Sequence, residues 1–274
     1  MISRIFVNYW IGQETSPPSP TLDQMPGYVD IVPLAFATVD SNSQLDFGFL
    51  TQTFPAEQIQ VWIKTLRARG TKVLMSIIDA GLGSMSPTQQ NAFIQSVVEC
   101  VETWGVDGID FDYEPPQASD TLVPLIQAVR AALPEGMIFT APIYFPWLSV
   151  PTLLAGVAGA VDYVMTMDYT PYPGWQSTND LCSQYAKIIG GWSKLIVGVS
   201  CMGPPDSGDF TPIGDAFLFA STAQKGVMLY TFSYDVTSRN DGTSGTGLPD
   251  GEFTRKIIEG LSLIADPSAA PPLG

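Results

Sequence analysis

Short apolar runs rich in β-branched and aromatic residues recur along the chain, with helix-period segments between them. Eight such runs stand out, at residues 4–10, 28–37, 72–78, 106–113, 137–143, 161–167, 195–201 and 227–232. Most are continuously apolar rather than alternating, as parallel strands covered on both faces should be. Helical patterning occupies 55–69, 87–104, 122–133, 148–156, 179–190, 211–224 and 252–264. Ser86-Pro87-Thr88 offers a cap and a proline at the first helical position. Gly70, Gly105 and Gly136 follow helical segments and precede strands, where a left-handed C-cap is wanted.

A strand about every thirty residues, each followed by a crossover, predicts an α/β fold: a single (β/α)8 TIM barrel. The barrel is expected to span residues 1–265, and 266–274 to form a Pro/Ala-rich tail. A doubly wound open sheet is the other arrangement of such units, but no Gly-x-Gly-x-x-Gly follows the first strand. Residues 202–226, between the last two strands, leave no room for an inserted α+β subdomain, so the fold should carry a shallow, open groove. The stretches 13–26 and 238–251 each follow a strand and belong at the C-terminal face, where barrel enzymes build their sites.

One strand departs from the apolar rule. In Val106-Asp107-Gly108-Ile109-Asp110-Phe111-Asp112-Tyr113-Glu114-Pro115-Pro116, period-two alternation turns Ile109, Phe111 and Tyr113 toward the covering helices. Asp110, Asp112 and Glu114 then point into the barrel. Three inward carboxylates on one buried strand are costly, because burial and mutual repulsion both disfavour their charges. Glu114 ends the strand, ahead of two prolines, at the position where a barrel places catalytic groups. A metal site or a solvated edge strand would explain the row less well. Metal ligands would converge from loops, and an edge strand would not carry Ile, Phe and Tyr on its other face.

Composition narrows the chemistry. The 274 residues contain no His and three Cys. That excludes Ser-His-Asp and Cys-His catalysis, a His-ligated metal and a four-Cys zinc site, and leaves proton transfer to carboxylates. Cys100, Cys182 and Cys201 read as buried free thiols. No metal and no cofactor is expected. A formal charge of −15 repels phosphates, so neither nucleic acid nor an anionic membrane is an expected partner, while neutral sugars are compatible. No apolar run is long enough to span a bilayer. Residues 1–10 hold one basic residue and no small-residue cleavage site, so no signal peptide is read there. A cytoplasmic protein and a secreted protein supplied as its mature chain both fit, and a monomer is expected.

The row Asp107-Gly-Ile-Asp110-Phe-Asp112-Tyr-Glu114 resembles the Asp-x-x-Asp-x-Asp-x-Glu signature of family 18 glycoside hydrolases, the chitinases and endo-β-N-acetylglucosaminidases. Lys72-Val-Leu-Met-Ser76 resembles the family's third strand and Leu34-Ala-Phe36-Ala37 its second. Met165-Thr-Met167-Asp-Tyr169 resembles the sixth and Gly226-Val-Met-Leu-Tyr230 the eighth. The resemblance implies a substrate-assisted retaining mechanism, an exception to the two-carboxylate scheme. In it, the sugar's 2-acetamido oxygen attacks the anomeric carbon and Glu114 serves as acid, then base. Asp112 orients the acetamido group, Asp110 shares a proton with Asp112, and Tyr169 holds the acetamido oxygen. Ser76 and Asp107 support the acidic row from behind.

Three positions depart from the family pattern: Tyr230 stands where Trp is usual, Thr170 where Asp or Asn often follows the tyrosine, and Ile78-Asp79 where Gly-Gly is common. Aromatic residues near strand ends are candidate sugar-stacking groups. Tyr9, Tyr144 and Trp175 lead, and Phe36, Met167 and Tyr230 join them through the resemblance. The expected activity is hydrolysis of β-1,4 bonds between N-acetylglucosamine units, in chitin or in the chitobiose core of N-glycans. A non-catalytic sugar-binding barrel is the alternative.

Overall fold

The computed structural model describes residues 4–12, 20–78, 82–112, 119–144, 150–169, 175–202, 210–236 and 246–263. Its apolar residues separate into two sets by strand alternation. Val7, Leu74, Met165, Ile196 and Met228 pack together inside the barrel, whereas Phe6, Val73, Val164, Val197 and Leu229, one residue away in each strand, join the layer between barrel and helices.

The strands are β1 (Ile5–Asn8), β2 (Trp10–Ile11), β3 (Ile31–Val39), β4 (Leu45–Asp46), β5 (Lys72–Ile78), β6 (Gly108–Asp112), β7 (Ile138–Ile143), β8 (Tyr163–Thr166), β9 (Leu195–Ser200) and β10 (Gly226–Tyr230). All pair in parallel except β4, which folds back antiparallel on the end of β3. β1 pairs with both β10 and β3, and β2 continues it along β3, so the sheet closes into eight staves. The (β/α)8 barrel read from the hydrophobic pattern is the fold.

The helices are α1 (Ala56–Ala68), α2 (Pro87–Trp104), α3 (Ser119–Ala132), α4 (Val150–Val157), α5 (Trp175–Ile189), α6 (Ile213–Thr222), α7 (Phe232–Asp235) and α8 (Glu252–Leu263). All seven helical segments predicted from the pattern are present. α1 buries Ile59, Trp62, Ile63 and Leu66, spaced as one helix face requires. α2 starts with a reciprocal Ser86–Gln89 capping box and ends at Gly105 with φ 65°. Among the described residues, a 3-10 turn at Leu22–Gln24 is the helical element between β2 and β3. α7, a single turn, was not predicted. Its Asp235 carboxylate accepts the backbone N–H groups of Phe253 and Thr254, both at 2.9 Å, and thereby caps α8.

Among the described residues between β9 and β10 there are α6 and one bridge, Cys201 to Phe210, and no inserted subdomain. At the opposite end of the barrel the Arg4 guanidinium donates to the carbonyls of Ala220 and Leu261, tying β1 to the last turns of α6 and α8. Among the described residues no helix is long and apolar enough to cross a membrane.

Candidate active site

The sequence places the site on β6, and the neighbouring strands show how it is held. Gly108 opens β6 opposite Ile138 of β7, with φ +155°. A Cβ there would lie 1.9 Å from the Ile138 carbonyl oxygen, so only glycine lets the two strands pair at this point. Two residues on, Asp110 pairs in register with Ser76 on one side and Thr140 on the other. All three side chains therefore point inward at one level. The Ser76 hydroxyl donates to Asp110 Oδ2 at 2.7 Å and the Thr140 hydroxyl to Oδ1. Tyr9, from the junction of β1 and β2, donates to Oδ2 at 2.6 Å. Asp110 is wholly buried, and loss of hydration pushes its carboxyl above the usual range, against the pull of these three hydroxyls. Burial and the charges of Asp110 and Asp112 hold the Tyr9 phenol well above its ordinary value, so it stays a donor.

One level higher, Asp112 opens onto a cavity of about 270 Å³ that it lines with Tyr9, Met167, Tyr169 and Tyr230. The Tyr169 and Tyr230 rings lie nearly parallel, 12° apart in plane with centroids separated by 6.3 Å. Phe36 packs against Tyr230 at 6.4 Å, and the peptides Ala35–Phe36 and Tyr230–Thr231 are cis. Of the expected residues, the structure thus gathers Asp110, Asp112, Tyr169, Tyr230, Met167, Phe36, Ser76 and Tyr9. Glu114 lies outside the described residues, as do Asp79 and Thr170. Trp175 begins α5, but its side chain is also outside them. Tyr144, half-buried just beyond β7, is not among the cavity's lining residues.

Two expectations change. Tyr9 was expected to stack on sugar, yet its ring is 2% exposed and its hydroxyl is engaged by Asp110, so it braces the acidic row. Asp107 was expected behind that row but sits at the other end of β6. There it receives Arg67 and Lys72 at 3.1 Å each and the Val73 N–H, and it anchors the strand's start instead.

Several residues were missed. Thr140 could have been found from register, as the inward neighbour of Asp110 on the next strand. Pro142, Ser200 and Met202, also cavity-lining, occupy strand ends whose sequence carries no chemical signal. Asp168, 5% exposed beside Tyr169, meets the Tyr185 hydroxyl at 2.9 Å, and that hydroxyl is equally close to the Ile143 carbonyl. Among the described residues no three His, Cys, Asp or Glu side chains converge to ligate a metal.

Carboxylates rising through a closed parallel barrel to an aromatic-lined cavity at the strands' C-terminal ends define the class: a (β/α)8 barrel with its site where barrel enzymes build theirs. The chain belongs to the glycosyl hydrolases family 18, whose model matches residues 5–246. It is 25% identical over 236 residues to a class V chitinase of Arabidopsis thaliana, covering 79% of this chain and 59% of that one. It is 27% identical over 175 residues to endo-β-N-acetylglucosaminidase F1 of Elizabethkingia meningoseptica, covering 53% and 51%. The chain thus spans little more than half the length of these curated relatives. Among solved structures, the family 18 chitinase of Cycas revoluta in complex with (GlcNAc)3 superposes with a TM-score of 0.69 at 15% identity, covering 94% of this chain and 99% of that one.

Proposed function

We propose that the protein hydrolyses β-1,4 linkages between N-acetylglucosamine units by a substrate-assisted retaining mechanism, with Glu114 as acid and then base. The observation that carries this reading is Asp112 at the floor of an aromatic-lined cavity, one level above a wholly buried Asp110 held by three hydroxyls. Such a pair suits a reaction whose nucleophile is the substrate's own amide. A carboxylate at Asp112 orients the acetamido N–H and balances the positive charge of the oxazolinium ion. Asp110, fixed below, sets where the pair's shared proton rests. Tyr169 faces the same cavity, where its hydroxyl would hold the acetamido oxygen at attack distance, and Tyr230 offers an aromatic face to the sugar. Both chitin-type chains and the chitobiose core of N-glycans satisfy this chemistry.

Chitopentaose and a high-mannose glycoprotein, incubated separately with the protein, distinguish the two substrates. Release of a glycan that leaves one sugar on the protein identifies the second. Glu114→Gln is expected to lower turnover by at least about a hundredfold while sugar binding persists. Unchanged turnover would overturn the assignment of the acid, and binding without turnover in the unmodified protein would leave a sugar-binding barrel.

A further inference from the structure

Strands run from the lower end of the barrel to the upper, and Tyr169 lies at the upper end, three residues beyond the last residue of β8. The ladders that fix β8 stop short of it. The pairing with β9 ends at Met165, opposite Ile196, and the pairing with β7 ends at Thr166, opposite Ile143. One further backbone bond, from the Met167 N–H to the Ile143 carbonyl at 3.1 Å, carries the strand a residue higher. Above it, side chains hold the segment.

On the β9 side the hold is Thr211, wholly buried just before α6. Its N–H donates to the Ser200 carbonyl at 2.8 Å and its hydroxyl accepts the Ser200 N–H at 3.0 Å, so it is fixed to the end of β9. The same hydroxyl donates to the Tyr169 carbonyl at 2.9 Å. On the β7 side the hold is Tyr185 of α5, also wholly buried. Its hydroxyl lies 2.9 Å from the Ile143 carbonyl and 2.9 Å from Oδ2 of Asp168, the residue between Met167 and Tyr169 that turns away from the cavity. Val and Phe would fill these two positions with nearly the same shapes and no polar group to desolvate. Both hydroxyls instead reach the two residues, Asp168 and Tyr169, that carry the Tyr169 ring into the cavity.

We propose that Thr211 and Tyr185 are positioning residues for Tyr169: they take over where the ladder stops and fix the phenol before a sugar arrives. This rests on the reading of Tyr169 as the group that holds the acetamido oxygen. That oxygen must meet the anomeric carbon along a narrow approach, so a phenol free to swing loses rate at the attack step. Binding of the rest of the sugar chain does not depend on it. Neither Thr211 nor Tyr185 is among the residues lining the cavity, so each acts through Tyr169 rather than on substrate.

Steady-state kinetics on chitopentaose, or on the high-mannose glycoprotein if that is the one cleaved, test the role. Tyr185→Phe and Thr211→Val are each expected to lower kcat about tenfold while KM changes by less than about twofold. Thr211→Ser keeps the hydroxyl and should retain turnover. Tyr185→Phe keeps its ring in the core, so the test stands even if Thr211→Val does not fold. A general loss of packing would slow the reaction whatever stands at position 169, whereas lost positioning matters only while there is a hydroxyl to position. In a Tyr169→Phe background both substitutions should therefore cost less than about twofold. Full kcat in Tyr185→Phe and Thr211→Val, or the same loss with and without the Tyr169 hydroxyl, would overturn the positioning role and leave the hydrolase reading intact. Unchanged turnover in Tyr169→Phe alone would overturn the reading of Tyr169 and this proposal with it.

Discussion

Asp110 concentrates the site's energetics in one side chain. Three hydroxyls donate to it, and each leaves a gap in a dry interior if removed. Thr140→Val keeps the volume but deletes a donor. It is expected to cost about 1–3 kcal/mol of stability and to slow turnover more than it weakens sugar binding, with Thr140→Ser restoring both. Chemical denaturation and steady-state kinetics read the two effects. A pH signature follows from burial. Because the folded carboxyl titrates above its ordinary value of 3.8, its proton is retained on folding. Its contribution to stability is therefore complete below that value and is lost as pH rises through the folded pKa. As pH rises above about 4, the melting temperature should fall more steeply in the unmodified protein than in Asp110→Asn. Parallel melting curves for the two proteins would show that Asp110 folds in its charged form.

Among the elements, what alternation and period govern was legible. Ile109 and Phe111 of β6 face the helices and Asp110 and Asp112 the interior, as a period of two demands. α2 begins and ends at its cap signals. What the sequence concealed were relations between strands. That Thr140 stands beside Asp110 is a matter of register, which no local pattern carries. Tyr9 has the composition of a sugar platform, yet closure of the barrel across β1 and β2 aims its hydroxyl at β6 instead. Asp107 belongs to the same acidic run as Asp110, but three residues of strand, about 10 Å, separate their levels. α7 is four residues long, too short for any periodicity to register. Its role lies in Asp235, which is fully buried and supplies both acceptors at the start of α8. Asp235→Ala strands two backbone N–H groups in the interior and should cost about 2 kcal/mol or more. The loss should show first in hydrogen exchange of the first turn of α8, and retained protection there would mean that α8 holds without its cap.

For the molecule as a whole, salt has two opposed effects. The ion pairs of Arg67, Lys72 and Arg130 at the lower end are partly exposed and weaken as salt rises, but each is worth at most about 1 kcal/mol. Against them stands a chain with formal charge −15, whose mutual repulsion favours unfolding. Raising the salt from about 20 to 300 mM shortens the screening length from roughly 20 Å to about 6 Å. That span removes most repulsion between acids on neighbouring loops, while close pairs lose less. The repulsion relieved therefore outweighs the attraction lost, and the melting temperature should rise by a few degrees. Scanning calorimetry at fixed pH measures the shift. A melting temperature that falls with salt would instead assign the dominant electrostatics to the lower-end ion pairs.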